Sequence, residues 1–438
     1  MMFFYYLRLA RISILRHWGL SLLMVTAIGL GIGAAMTTVT VNYLMSADPI
    51  PNKSHALHTI QLDNWDQNKP FKEGLEPPPF LTYQDAKNLI TAKKASRQTM
   101  HTAAKAVIEP LAEDGLPLYV TVRANTTDFF TMFEVPFVYG APWEAATDDN
   151  NDLVVVLSEQ INERLFGGEN SVGKAIKING DMYQVVGVLA DWQPKPRFYH
   201  VDRIKAFDDS EDIFVPFTAI AREKITFDDN SYCWAPTADS WQDFLNSECV
   251  WVHFWVEFDS QTQKQDYRDF LDGYVEQQRL YGRFKRPNDN RVNTLEEWFK
   301  AREVVNKDNN MLMAMAFLFL GICLLNTIGL LLAKFLGKSS EIGLRQALGA
   351  SKSALFYQYM VESACIGVAG GLLGLVFAYL GLQGIELLYG EKMKALITLD
   401  APLVIFAIVL SVGATLIAGL YPTWRACNLA PANQLKSQ

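Results

Sequence analysis

Four apolar stretches, each long enough to cross a lipid bilayer as a helix, limit what this chain can fold into. They run over residues 18–45, 311–336, 356–388 and 401–422. A membrane-spanning helix needs about 20 consecutive apolar residues, a length that is unusual in the core of a water-soluble domain. The sequence therefore predicts an α-helical membrane protein with one transmembrane helix near its start and three near its end.

The first apolar stretch could instead be a secretory signal, because Arg8, Arg11 and Arg16 precede it. The apolar core of a signal has about 7–15 residues, fewer than this stretch holds, and no small-residue cleavage site follows. We therefore interpret it as a retained anchor. Residues 1–17 mix aromatic side chains with the three arginines, which favours a helix lying in the membrane interface. The alternative is a plain extension of the first span into the cytosol.

The distribution of charge predicts the orientation of the spans. Residues 1–17, 334–355 and 423–438 together carry nine basic side chains and one acidic side chain, whereas residues 46–310 carry 28 basic and 42 acidic ones. Because basic segments stay on the cytoplasmic side, both termini and the loop between spans two and three should be cytoplasmic. Residues 46–310 and the short loop 389–400 should lie outside, in the periplasm of an inner-membrane protein. The acidic balance argues against nucleic acid as a partner.

Residues 46–310 have the pattern of a mixed α/β domain inserted between the first and second spans. A short apolar strand at 153–157 is followed by Ser158, which can cap a helix over 159–166. Further on, Asn179-Gly180 separates two short strand-like segments, as expected for a tight β-hairpin. The fold class predicted is thus four transmembrane helices, one plus three, with a large extracytoplasmic α/β domain between helices one and two.

Two of the five cysteines, Cys233 and Cys249, fall in this outside domain. Outside the cytoplasm such a pair indicates a disulfide, and two buried free thiols are the alternative. Beside them, residues 250–258 alternate as a strand. The face of that strand with Trp251 and His253 could bind an amphipathic ligand or another protein, or it could pack under a neighbouring helix, and packing is favoured.

The sequence supplies no clear catalytic or metal site. Residues 168–175 nearly match a phosphate-binding loop, but Ala175 replaces the hydroxyl that would hold Mg²⁺, and residues 176–180 read as a strand and hairpin. The six histidines are scattered without ligand spacing. We therefore predict a non-catalytic chain without a metal or cofactor of its own.

The loop at 337–355 carries the most specific pattern, Glu-Ile-Gly-Leu-Arg-Gln-Ala-Leu-Gly-Ala from Glu341 to Ala350. Glu341 suits the start of a helix, Gly349 can end it in a left-handed conformation, and Ser351 can cap the next helix. The pattern therefore predicts a short helix near the membrane surface, joined stiffly to the third span.

This loop resembles the E-I-G-x-R-[RK]-A-[LI]-G-A motif of the FtsX/MacB-like ABC transporter permeases, with Gln346 in place of the usual basic residue. The glycine-rich segment 370–374 and the segments 421–426 and 430–435 also resemble that family, and the resemblance covers nearly the whole chain. The family includes macrolide and peptide exporters, lipoprotein-releasing permeases and cell-division mechanotransmitters.

The resemblance implies a permease subunit whose short helix seats on a separate ATPase dimer, which itself binds ATP and Mg²⁺. The implied coupling residues are Glu341, Ile342, Gly343, Arg345, Ala347, Leu348, Gly349 and Ala350. Two permease copies, or one copy and a paralogue, would turn ATP hydrolysis into motion of the outside domain. That mechanotransmission would export a drug, peptide or similar substrate from the periplasm, with a periplasmic adaptor and an outer-membrane channel. The alternatives are control of a cell-wall hydrolase, antibiotic sensing, or lipoprotein release.

Glycines at small-xxx-small spacing in the spans indicate close helix packing in the lipid. These residues are Gly29, Gly33, Gly367, Gly370, Gly371 and Gly374. Their contacts could lie within one subunit or across a dimer, and the spacing is compatible with both.

Overall fold

The computed structural model of the protein describes residues 2–45, 47–71, 77–110, 116–150, 152–201, 205–235, 240–304, 307–389 and 401–428. These residues form two compact units. We call Asp48–Val304 the inserted domain, and the described parts of Met1–Ala47 and Val305–Gln438 the membrane unit. Two predicted segments lie outside the described residues. They are the loop at 389–400, except for its first residue, and the motif at 430–435.

The described residues contain fourteen α-helices. They are α1 (Met2–Arg16), α2 (Trp18–Met45), α3 (Tyr83–Ala92), α4 (Asp128–Met132), α5 (Ala145–Asn150), α6 (Glu159–Phe166), α7 (Thr218–Ala221), α8 (Trp241–Leu245), α9 (Gln261–Leu280), α10 (Leu295–Ala301), α11 (Lys307–Leu336), α12 (Ser339–Ala347), α13 (Lys352–Tyr389) and α14 (Ala401–Cys427). Single-turn 3₁₀ helices lie at Phe198–His200 and Lys205–Phe207.

The strands all belong to the inserted domain. They are β1 (Leu57–Gln61), β2 (Leu81–Thr82), β3 (Arg97–Glu109), β4 (Leu118–Asn125), β5 (Phe137–Gly140), β6 (Val154–Leu157), β7 (Ala175–Ile178), β8 (Asp181–Leu189), β9 (Ile213–Pro216), β10 (Thr226–Phe227), β11 (Val250–Glu257) and β12 (Arg291–Thr294).

Four helices of the membrane unit, α2, α11, α13 and α14, are long and apolar enough to cross a membrane. They correspond to the four predicted spans, although α13 begins at Lys352 and α14 continues to Cys427, beyond the limits of the apolar stretches. Helix α1 ends at Arg16 and a turn at His17 separates it from α2. The N-terminal segment is therefore a helix of its own and not a continuous extension of the first span.

The inserted domain is built on one mixed sheet with the strand order β12-β1-β11-β3-β4-β9-β6-β8-β5. Most neighbours are antiparallel, while β4 pairs in parallel with β9 and β6 in parallel with β8. The long strand β3 lies near the middle and runs beside β4 from His101 to Ile108. Side chains from most of these strands bury one large hydrophobic core, with α3 and α9 contributing to it.

Local sequence signals explain several of these elements. Ser158 accepts a hydrogen bond from the amide of Ile161 and caps α6, as predicted. Asn179 and Gly180 both have positive φ, 46° and 90°, which joins β7 to β8 in the predicted tight hairpin. The segment after Lys174 is thus a strand and not the helix that follows a phosphate-binding loop.

Strand β11 is buried along its whole length. The ring of Trp251 stacks with Phe217 and Phe244, at centroid distances of 5.9 and 5.7 Å. The face that carries Trp251 and His253 therefore packs inside the domain, and the ligand-binding alternative for that face is wrong. At the start of β11, Cys249 forms a disulfide with Cys233.

Candidate functional site

The short helix α12 lies between the second and third predicted spans, where the sequence motif falls. Lys338 is its N-cap residue, and Gly349 follows its C-terminus with φ of 98°, a conformation that suits glycine. The hydroxyl of Ser351 then accepts a hydrogen bond from the amide of Ala354, 3.2 Å away, at the start of α13. Both ends of α12 are thus fixed by short connections to the membrane helices.

One face of α12 is anchored to the membrane unit. Ile342 is buried in the core shared by the membrane helices. Arg345 donates to the side-chain oxygen of Gln358 on α13 at 3.0 Å and pairs with Glu341 at 2.6 Å. Gln346, where the family motif usually has a basic residue, donates to the backbone oxygen of Cys427 at the end of α14. These contacts hold α12 against two spans.

The opposite face of α12 is apolar and exposed. Leu344 is 55% exposed and Leu348 is 80% exposed. Ala347 lies beside them at helical spacing and is also exposed. Leu344 was absent from the predicted coupling residues because its position is variable in the motif. A fixed helix that presents two exposed leucines is suited to fill a hydrophobic groove on another protein.

The six glycines predicted to pack the spans lie at contacts between helices of one subunit. A Cβ added at Gly33 would come within 2.6 Å of the Phe377 Cβ, and one at Gly374 within 2.7 Å of the Ile32 side chain. Gly29 likewise faces α13, and Gly370 faces α2. Gly367 and Gly371 both face α14. The absence of a side chain at these positions lets α2, α13 and α14 approach closely.

The structure also reveals an acidic residue that the sequence analysis overlooked. Glu362 lies inside the predicted third span and is fully buried. An ionisable residue in an apolar span marks a functional position by default, so this signal was present in the sequence.

The inserted domain gathers histidines that are far apart in the sequence. The Nε2 atoms of His200 and His253 each lie 3.2 Å from a different carboxylate oxygen of Asp229. His101 stacks on His253 with ring centroids 4.9 Å apart. Burial lowers the pKa of His200 to about 4 and also lowers the pKa values of His101 and His253. Burial alone would raise the pKa of Asp229, but His200 and His253 hold it well below its usual range.

Two histidines and one aspartate are a donor set that can bind a transition metal, with ligand atoms within 4.8 Å of one another. Arg123 decides against that use, because its guanidinium lies 2.8 Å from the Nδ1 atom of His200. A guanidinium only donates hydrogen bonds, so Nδ1 accepts and the ring proton resides on Nε2, facing Asp229. We therefore describe the cluster as a buried hydrogen-bonded network that links β3, β4 and β11.

The described architecture is that of a membrane protein with four candidate spans, a large α/β domain inserted after the first of them, and a short helix between the second and the third. The profile of the MacB-like periplasmic core domain matches residues 21–268, and that of the FtsX-like permease C-terminal region matches residues 313–431. The first match alone covers more than half of the chain. The chain belongs to the FtsX/MacB-like family of ABC transporter permeases.

Its relatives are distant in sequence. The chain is 26% identical over 318 residues to the pyoverdine export ATP-binding/permease protein PvdT of Pseudomonas syringae pv. syringae, an alignment that covers 72% of this chain and 43% of PvdT. It is 22% identical over 328 residues to the ABC transporter permease YvrN of Bacillus subtilis, covering 73% of this chain and 70% of YvrN. The chain thus spans less than half the length of PvdT and most of the length of YvrN.

Among solved structures, the periplasmic region of MacB from Actinobacillus actinomycetemcomitans aligns with 58% of this chain and 95% of its own length. The alignment has 15% sequence identity and a TM-score of 0.36.

Proposed function

We propose that this chain is the permease subunit of an ABC transporter that works with a separate ATPase. In this proposal the ATPase dimer seats on α12, and ATP binding pushes the helix. The spans then shift, and the extracytoplasmic domain changes shape and expels a drug, peptide or similar substrate from the periplasm. The observation that carries the proposal is the exposed Leu344–Leu348 face of a helix whose other face is anchored to α13 and α14.

The direction of transport is proposed from the relatives. PvdT is named as a pyoverdine exporter, and a MacB of Pasteurella multocida, 27% identical over 29% of this chain, is named as a macrolide exporter. Both are ATP-binding/permease proteins by name, and the match to PvdT covers 43% of that protein. The partners we propose for this chain are a separate ATPase and a second permease copy or a paralogue.

Lipoprotein release is less well supported, because it requires a groove open to lipid between the first two spans. Gly31 on α2 lies against Leu320 and Cys323 on α11, and a Cβ there would come within 2.9 Å of the Leu320 side chain. The first two spans are closely packed at this level of the membrane unit.

The proposal can be tested by capture of the ATPase from mild detergent. We expect an ATPase to copurify with the wild-type chain and to be lost from the Glu341→Lys, Arg345→Glu double variant. The exchange keeps opposite charges at positions four apart, but it removes the Arg345 donor to Gln358, so α12 loses the contact that holds its leucine face in place for the ATPase.

A matched control is the Glu296→Lys, Lys300→Glu variant, which inverts an exposed pair of the same spacing in the inserted domain. It should capture as much ATPase as the wild type. If no ATPase copurifies with a folded wild-type chain, or if the α12 variant captures it equally well, the proposed function is wrong.

A further inference from the structure

A buried ion pair between Lys334 and Glu362 joins four helices of the membrane unit. The Nζ atom of Lys334, near the end of α11, lies 2.7 Å from Glu362 Oε1 on α13, and both side chains are buried. Ser13 of α1 donates a hydrogen bond to the same oxygen. Lys334 also donates to the hydroxyl of Ser21 on α2 at 3.0 Å. The Lys334–Glu362 pair therefore links α1, α2, α11 and α13 at one point.

Burying these charges is costly, so packing alone does not explain them. Removing a carboxylate and an ammonium group from water costs more than their attraction returns unless the geometry is good and the remaining atoms are bonded. Apolar side chains of similar size in place of Lys334 and Glu362 would often hold α11 against α13 at least as well, although Ser13 of α1 would lose its acceptor. Charged residues inside spans accordingly mark functional positions in membrane proteins.

The cluster is connected directly to α12. Lys338, the N-cap residue of α12, donates to Ser13, and its Nζ atom lies 3.8 Å from Glu362 Oε1. The second oxygen of the carboxylate, Oε2, is buried and has no hydrogen-bond partner among the described residues. Because Lys338 stands just outside hydrogen-bond range, a movement of about 1 Å would let it bond to the carboxylate.

We propose that Glu362 is a positioning residue, and that together with Lys338 it forms a two-position joint between α12 and the spans. In one position Lys338 bonds to Ser13. In the other, reached when α12 moves, Lys338 bonds directly to the Glu362 carboxylate, and α1 and α13 move with it. This inference deepens the proposed function and rests on it for the source of the force.

The joint itself can be tested without any partner, by hydrogen–deuterium exchange of the full chain in lipid nanodiscs. We expect Glu362→Gln and Lys338→Met each to speed exchange of residues 2–16 and 339–347 together, by roughly tenfold, because both helices lose the same anchor. Lys338→Arg, which keeps a long basic donor, should restore slow exchange. Lys352→Met, at an exposed lysine that begins α13, is the control and should change neither segment.

If Glu362→Gln prevents folding, the Lys334→Met, Glu362→Leu double variant replaces the buried pair with apolar groups and keeps the joint broken. Unchanged exchange in residues 2–16 in any folded variant that lacks the Glu362 carboxylate would overturn the proposal, whether or not an ATPase binds this chain.

A second measurement tests whether the joint transmits movement of α12 to the inserted domain or only holds the helices together. In a complex with the ATPase, Lys338→Met should still capture the ATPase, but the inserted domain should no longer change its exchange on addition of ATP and Mg²⁺. A wild-type response in that variant would show that the joint does not transmit movement of α12 to the inserted domain, and would overturn that part of the proposal. Failure of the wild-type chain to capture an ATPase would instead count against the proposed function, and the exchange of residues 2–16 would still decide whether the joint exists.

Discussion

The histidine cluster shows how a few buried residues set the response of the inserted domain to pH. His200 and His253 both face Asp229. The carboxylate of Asp229 also accepts a hydrogen bond from the backbone amide of Ala103, at 3.1 Å. Arg123 lies on the other side of His200 and pairs with Glu211. The buried guanidinium of Arg123 thus contacts both a carboxylate and an imidazole. Protonating a neighbouring histidine would place a second buried positive charge beside it, which is unfavourable.

We therefore predict that the inserted domain loses stability as the pH falls from about 6.5 toward 4. Histidines whose pKa is depressed by folding bind protons more readily when unfolded, so their contribution is present above pH 6.5 and is lost below it. A pKa of about 4 for His200 corresponds to roughly 2 kcal/mol lost at pH 5. The buried His58, with a pKa of about 4, acts in the same direction, while Asp148, with a pKa raised to about 6, opposes it.

Thermal unfolding of the purified chain between pH 7.5 and 4.5, followed by tryptophan fluorescence, measures this effect. The His253→Asn variant can still donate to Asp229 and should show a shallower dependence on pH than the wild type. His55→Asn, at an exposed histidine, should follow the wild-type curve. Identical curves for all three proteins would show that the cluster does not control the pH response.

At the scale of residues, the sequence predicted helix caps and turns but not the side-chain clusters that form when distant segments meet. Ser158, Gly349 and the Asn179-Gly180 turn could be assigned because each depends on neighbours within a few positions. The Asp229 cluster could not, because its histidines come from residues 101, 200 and 253 and meet only when strands from distant segments pair. Glu362 differs from these, since a lone acid in an apolar stretch could have been recognised directly.

At the scale of helices, close packing of α2 against α13 depends on missing side chains. Gly33 and Gly374 mark this contact from its two sides, since a Cβ at either would lie under 3 Å from the opposite helix. The spacing of the glycines predicted tight packing but could not identify the partner, because a helix surface pattern does not specify which helix faces it.

We predict that Gly33→Val destabilises the membrane unit by about 1–3 kcal/mol, because the added atoms must displace Phe377. Gly413→Val is the matched control, since a Cβ at Gly413 has no atom within 4 Å. Heating the detergent-solubilised chain and measuring the fraction that remains monodisperse should show a lower midpoint for Gly33→Val only. An equal loss in both variants would mean that the α2–α13 contact is not the cause.

Some ends of the long helices coincide with the limits of the apolar stretches, and others lie beyond them. The second apolar stretch and helix α11 both end at Leu336. Helices α13 and α14 extend past their apolar stretches, through Lys352 and Cys427, because hydrogen bonding of the helix continues after the hydrophobic run ends. The limits of the apolar stretches therefore do not give the whole length of these helices.

For the whole molecule, the central claim is that force enters at α12 and appears as a change in the inserted domain. Three features support this path: the exposed leucines of α12, its anchors on α13 and α14, and the buried Lys334–Glu362 pair that ties α1, α2, α11 and α13 together. The near match to a phosphate-binding loop at 168–175 leads into a strand, so the energy source that we propose is a partner ATPase.

The most direct test reconstitutes the chain with its captured ATPase in nanodiscs and measures hydrogen exchange of residues 48–304 with ATP and Mg²⁺. The account predicts that ATP, but not ADP, changes exchange in this domain. It also predicts that the Leu344→Glu, Leu348→Glu variant shows no such change, because its charged face no longer fits an apolar groove. No response in the wild-type complex, or an equal response in the variant, would contradict transmission through α12.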